Sequence, residues 1–148
     1  MRENLFSKIV NASKARHMFT TINNNDLHEK ITSRLYDFGF IQHVCHGSQE
    51  KPYDGKSHLW IQLKYTPQLE PVLNNINLIS KPSRRVFATK EELITLTSGR
   101  VTHRLKSLGL GRMLPGQVML VNTNKLGVIE LFEAVEKETG GEVMCIVY

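Results

Sequence analysis

The sequence holds only two cysteines, Cys45 and Cys145, a hundred positions apart, which fit buried free thiols better than a disulfide scaffold. Each sits in an apolar run, the setting of a buried free thiol in a reducing compartment, where thiolate formation is suppressed. No apolar run approaches the roughly 20 residues that span a bilayer. No signal-peptide pattern opens the chain, whose first stretch is polar every second or third residue. Catalytic signatures are also missing. No carboxylate pair stands in an apolar setting, which leaves acid–base chemistry without a candidate. Gly109-Leu110-Gly111 lacks the third glycine of a dinucleotide fingerprint and the Gly-Lys-Ser/Thr of a phosphate loop, and reads as a flexible basic loop. Aromatics make up only 7% of the chain, and there is no fixed-period repeat.

What is present is a folded chain with a divided charge. The 148 residues suffice for one ordinary domain or two small ones, and 41% are apolar. The net charge is +5, but residues 81–112 alone carry eight basic side chains against two acidic. Residues 126–148 carry five glutamates against Lys137. A cationic segment beside an acidic one points to a polyanionic partner, nucleic acid before membrane.

Taken in order, residues 3–16 are expected to form a helix. Leu5, Ile9 and Ala12 make its core face, and Lys8, Asn11, Lys14 and Arg16 lie largely outside that stripe. A solvated surface helix, an RNA-facing helix and an uncleaved organellar address all fit this pattern. Thr20–Asn25 reads as loop. A second helix spans about Leu27 to Phe38, with Asp26 as N-cap, Glu29 completing a capping box, and Gly39 as terminator. Its stripe is Leu27, Ile31, Leu35 and Phe38. Phe40–Cys45 and His58–Tyr65 are strands, joined through an Asp54-Gly55 turn. After Pro67 and Pro71, Val72–Ile79 is a short helix or strand, 80–85 is a basic turn, and Val86–Ala88 is a strand. Thr89 caps a helix with Glu92 at N3. Residues 97–116 read as loop. Gln117–Val121 is a strand, Val128–Glu138 a helix with Val128, Leu131, Phe132 and Val135 inward, and Glu142–Tyr148 a strand apolar on both faces. The expected class is α+β with two subdomains: helix–helix–antiparallel sheet over 1–66, and a mainly β part with one or two helices over 67–148, carrying a basic insert near 97–116.

His43, Cys45, His46 and His58 are metal-ligand types close in sequence, but His-x-Cys-His matches no common zinc spacing, so solvent-facing imidazoles on a strand are preferred. Nucleic-acid binding gathers more features. Helix 1 offers Asn11, Lys14 and Arg16. The basic turn offers Ser80, Lys81, Arg84 and Arg85. The stretch after the 117–121 strand offers Asn122, Thr123, Asn124 and Lys125, which is also what an Asn-rich turn would contain. Cations suit phosphates, while Asn and Thr suit ribose hydroxyls. These segments hold few aromatics, so a folded RNA fits better than a single strand stacked on a platform.

Four ordered blocks carry a family likeness: Leu5–His17; Leu63-Lys64-Tyr65 with Pro71-Val72 and Ile79 through Phe87; the 121–127 stretch; and Gly140-Gly141-Glu142 through Tyr148. Together the chain resembles the eighth protein of the small ribosomal subunit, in its bacterial and organellar branch. The resemblance implies a non-enzymatic protein without cofactor, metal, membrane or small-molecule substrate. It implies binding to the central domain of small-subunit rRNA beside neighbouring small-subunit proteins, and help in assembling that domain. It adds Gly140, Gly141 and Glu142 to the RNA-binding set. The family's Ser-Thr-Ser-Lys/Arg-Gly loop maps onto Asn122, Thr123, Asn124 and Lys125, with the glycine displaced to Gly127 by Leu126. Compared with the compact bacterial form, the region between Lys90 and Gln117 holds about a helix and a loop more, including Arg100, Arg104, Lys106 and Arg112. This insert is expected to touch RNA or a neighbouring protein. The altered loop, the insert, the abundant asparagine and the acid-poor N-terminus point to a mitochondrial ribosome of fungal type. The rival readings are a stand-alone RNA-binding translational regulator and a small metalloenzyme using the His43–His58 region.

Overall fold

A computed structural model of the chain describes residues 2–47 and 58–148; the expected Asp54-Gly55 turn lies outside them. The class is α+β: the described residues form five helices and two antiparallel sheets, in two compact units that meet in sequence between Asn75 and Ile76.

The N-terminal unit runs α1 (Arg2–Lys14), β1 (Phe19–Asn23), α2 (Asp26–Asp37), β2 (Ile41–His46) and β3 (His58–Leu63). Leu5, Phe6, Ile9, Val10 and Ala12 of α1 are buried, and Lys8, Asn11 and Lys14 are exposed, as the helical spacing requires. The sheet order is β1-β3-β2. β1 occupies residues expected to be loop. Their polarity suggested a turn, but Thr20, Thr21 and Ile22 are β-branched and pair with Ile61, Trp60 and Leu59 of β3. The cap of α2 also differs. Asn25, extended at φ −151, accepts the His28 N–H at 2.8 Å, and Asp26 is the first helical residue. The stripe of α2 turns by one position: His28, Ile31, Thr32 and Leu35 are buried while Phe38 lies exposed at the C-cap. Gly39 ends the helix at φ 78, as expected.

The C-terminal unit runs β4 (Ile76–Leu78), β5 (Phe87–Ala88), α3 (Lys90–Thr97), α4 (His103–Ser107), β6 (Val118–Thr123), β7 (Gly127–Glu130), α5 (Leu131–Glu136) and β8 (Gly141–Val147). β8 is the centre. β4 and β5 pair in succession along one side of it and β6 along the other, with β7 outside β6. Glu142–Val147 are all buried, the two-faced burial expected of an apolar strand. The Thr89–Glu92 capping box is formed.

Two expectations fail here for local reasons. The 97–116 stretch is not simply loop. Thr102 caps α4 by accepting the Leu105 N–H, and Leu105 and Leu110 are buried among Leu93, Leu96, Met119 and Leu131. The expected Val128–Glu138 helix is split. Gly127, at φ 73, turns the chain back so that Val128 and Ile129 pair with β6. The helix starts only where the Glu130 carboxylate accepts the Phe132 N–H at 2.9 Å. The displaced start leaves Phe132 exposed and puts Ala134 inside.

Candidate nucleic-acid interface

In the C-terminal unit three of the residues singled out from sequence, Ser80, Arg85 and Asn122, meet around one buried carboxylate. Glu142, at the start of β8, lies opposite Asn122 in the β6–β8 register. Its Oε1 accepts the Ser80 hydroxyl at 2.5 Å, and its Oε2 lies 3.5 Å from Arg85 Nη1. The Ser80 hydroxyl in turn accepts the Val86 N–H at 3.3 Å. A carboxylate and a hydroxyl thus tie the two ends of the 80–85 turn to β8. Ser80 and Glu142 are buried, so they hold the turn rather than offer themselves outward. Between them the turn presents Lys81, Arg84 and Arg85, all exposed. Lys81 and Arg84 exchange both backbone hydrogen bonds, at 2.9 and 3.0 Å, across Pro82-Ser83. Arg84 Nη2 also donates to the Ser107 carbonyl at 3.0 Å, which ties the turn to the end of α4.

Gly140 and Gly141 are required by close backbone approach. A Cβ on Gly140 would lie 2.7 Å from the Ala88 carbonyl oxygen, and one on Gly141 only 2.5 Å from that of Asn122. These glycines let β5, β6 and β8 close together beside Glu142.

The 122–127 stretch is the tip of the β6–β7 hairpin, not a free loop. Asn122 and Thr123 belong to β6, and Thr123 pairs with Gly127. The Thr123 hydroxyl is buried; it donates to the Gly127 carbonyl and accepts the Leu126 N–H, each at 3.0 Å. Thr123 therefore fixes the turn from inside. Asn124, Lys125 and Leu126 project from it exposed, and Asn122 is half-buried.

Asn11, Lys14 and Arg16 lie in the N-terminal unit, and all three are exposed. Arg16 is in the left-handed region at φ 58. Its N–H donates to the Ser13 carbonyl and the His17 N–H to that of Ala12, closing α1. The Tyr65 hydroxyl donates to the His17 carbonyl at 2.5 Å and secures this corner. Burial raises the Tyr65 pKa, opposed by the nearby Arg16 charge. An L-residue in this conformation costs about 1–2 kcal/mol. Arg16→Gly is therefore expected to raise stability by about 0.5–1 kcal/mol, and Arg16→Ala to bring no such gain. Urea melts of both variants check this.

Sequence reasoning gives no sign that Trp60 of β3 meets Phe19 of β1: Thr20–Asn25 reads as loop, and only the pairing of β1 with β3 brings the two ring centroids to 4.7 Å.

Among the described residues no three His, Cys, Asp or Glu side chains are placed to hold a metal ion. His43 and His46 are exposed, and Cys45 is half-buried with its thiol pKa raised by desolvation. The pKa of the buried Cys145 thiol is raised further by the same cause. Among the described residues no helix is long and apolar enough to cross a membrane.

The profile of the family described as Ribosomal protein S8 matches residues 3–148. The chain is 35% identical to small ribosomal subunit protein uS8m of Neurospora crassa, over 96% of this chain and 94% of that protein. It is 30% identical to the uS8m of Schizosaccharomyces pombe, over 95% of each chain. It is 32% identical to the bacterial uS8 of Coprothermobacter proteolyticus, over 97% of this chain and 94% of that one. The ordered blocks, the closed hairpin and the match along nearly the whole length establish that the chain belongs to the ribosomal protein S8 family, a family of structural ribosomal components rather than of enzymes.

Proposed function

We propose that this protein is a structural constituent of the mitochondrial small ribosomal subunit, in the matrix, where it binds the central domain of the small-subunit rRNA, supports its assembly and abuts neighbouring small-subunit proteins. The observation that carries the reading is the Glu142 node. It braces a turn of three exposed cations, and the paired strand beside it leads into a hairpin that exposes an amide and an ammonium. Cations on a preorganised backbone suit a folded polyanion, because little ordering remains to be done on binding. The uS8m names of the Neurospora and Schizosaccharomyces relatives support the mitochondrial setting.

The contacts divide by exposure. Lys81, Arg84, Arg85, Asn124 and Lys125, with Asn11, Lys14 and Arg16, are the RNA-facing set. Ser80, Thr123, Gly140, Gly141 and Glu142 position them, and Asn122 stands between the two roles. Arg100, Lys106 and Arg112 are exposed as well and extend the cationic surface of the C-terminal unit.

Lys125→Ala and Arg85→Ala are each expected to weaken binding to small-subunit rRNA evenly across sequences. Each should lower the slope of log affinity against log salt by about 1. Filter binding over a salt series measures both. Crosslinking in purified mitochondrial ribosomes, with mapping of the linked nucleotides, tests the placement. A protein that sediments away from the small subunit, or binds RNA regardless of both substitutions, would refute this reading.

A further inference from the structure

We propose that the N-terminal unit carries a pocket for one unpaired nucleotide, a proposal that rests on the rRNA-binding reading above. A cleft of about 550 Å³ opens between the C-terminal half of α1 and β1, reaching Trp60 on β3. That volume lies in the range of small-molecule sites. One part of its lining is aromatic. Phe19 and Trp60 are tilted 35° to each other, and both are half-buried. Trp60 does not belong to the core: it alternates along β3 with Leu59 and Ile61, which are fully buried. Its Nε1 is buried, so the cleft meets the carbon surface of the indole rather than its N–H.

The rest of the lining is polar. Asn11 brings an exposed amide that both donates and accepts. Lys8 brings an ammonium that bends over β1 through a weak 3.4 Å bond to the Thr21 carbonyl, and it is exposed to a new partner. An aromatic surface, a two-way amide and a cation match the three parts of a nucleotide: the base face, the base edge and the phosphate. A paired base in a duplex cannot present its face, so the occupant is a base out of the stack. Asn11 thereby gains a defined partner, the base edge, in place of a general backbone contact.

The chain has a single tryptophan, so the emission of Trp60 reports on this cleft alone. The full chain is titrated with a single-stranded RNA hexamer, a blunt RNA duplex of equal length, and inorganic phosphate. The single strand is expected to quench Trp60, and the duplex and phosphate to leave it unchanged. Asn11→Ala and Lys8→Ala, at exposed positions, are expected to keep the melting temperature and to lower the affinity read from quenching by roughly fivefold to tenfold each. Quenching by duplex or phosphate alone, no quenching by the single strand, or affinity indifferent to both substitutions overturns the pocket. Incorporation into small subunits is measured in parallel. Incorporation without single-strand quenching overturns the pocket and leaves the ribosomal reading standing. Quenching by the single strand without incorporation upholds the pocket and removes the ribosomal reading.

Discussion

Gly141→Ala is expected to destabilise the C-terminal unit by about 3 kcal/mol, at the upper end of overpacking costs. The added methyl would sit 2.5 Å from the Asn122 carbonyl oxygen, and 3.1 Å from both the Asn122 carbonyl carbon and Val121 Cγ1. Two of those atoms are backbone, so no rotamer change relieves the clash. β6 has to move away from β8 where Asn122 faces Glu142. For a unit of this size the melting temperature should fall by roughly 12–24 °C. RNA affinity should fall with it, because the hairpin that carries Asn124 and Lys125 is displaced from the Glu142 node. Gly111→Ala is the control. Nothing lies within 4 Å of its added methyl and its φ is unexceptional, so stability should stay within about 0.5 kcal/mol. Thermal melts of the two variants, with rRNA binding, decide the matter. Equal melting temperatures would refute the close-approach argument.

Leu105→Ala is expected to cost about 2–5 kcal/mol, the range for truncating a fully buried leucine. Its side chain is inaccessible within the core formed by α3, β6 and α5. This bears on how the insert is probed. Removing residues 99–114 would take out Leu105 and Leu110 together and report on folding, not on contact with RNA. The neutral replacement of Arg100, Lys106 and Arg112 leaves the core intact. That triple variant should melt as the parent does and incorporate less well into small subunits. Arg104 is kept, because it pairs with Glu92 and tethers α4 to α3. A Leu105→Ala protein as stable as the parent would show that α4 is not part of the core.

Much of the fold could be read from periodicity, and the misses share a cause. α1 and β8 declared themselves through apolar spacing alone. β1 did not, because Thr20 and Thr21 are polar by composition yet β-branched, and only pairing with β3 decides between turn and strand. β7 was hidden because Val128, Ile129 and Leu131 suit a helix as well as a strand. The left-handed Gly127 makes the choice, and its conformation depends on the Thr123 hydroxyl below it. The basic residues around α4 masked the two leucines that anchor it.

The candidate site could be read from the sequence as a set of blocks but not as a division between buried and exposed members. Ser80, Thr123 and Glu142 have the same chemistry whether they face RNA or the interior. Burial separates them, and burial follows from which strands flank β8. Trp60 was invisible for the complementary reason: half of its surroundings come from α1 and β1, about forty residues upstream or more.

The central place of β8 has a consequence for synthesis. Every strand it pairs with, from Ile76 in β4 to Thr123 in β6, precedes it in the chain. The N-terminal unit has all its own pairings within its first 75 residues and can close while translation continues. The C-terminal sheet has to wait, with β4, β5 and the β6–β7 hairpin lacking their shared neighbour until residues 141–147 leave the exit tunnel. At roughly 5–20 residues per second that leaves an interval of seconds in which strand edges lie open beside a strongly cationic segment. The nascent form of this half is thus the vulnerable one, prone to pairing with foreign strands or binding RNA indiscriminately, and the last strand to emerge ends both risks at once.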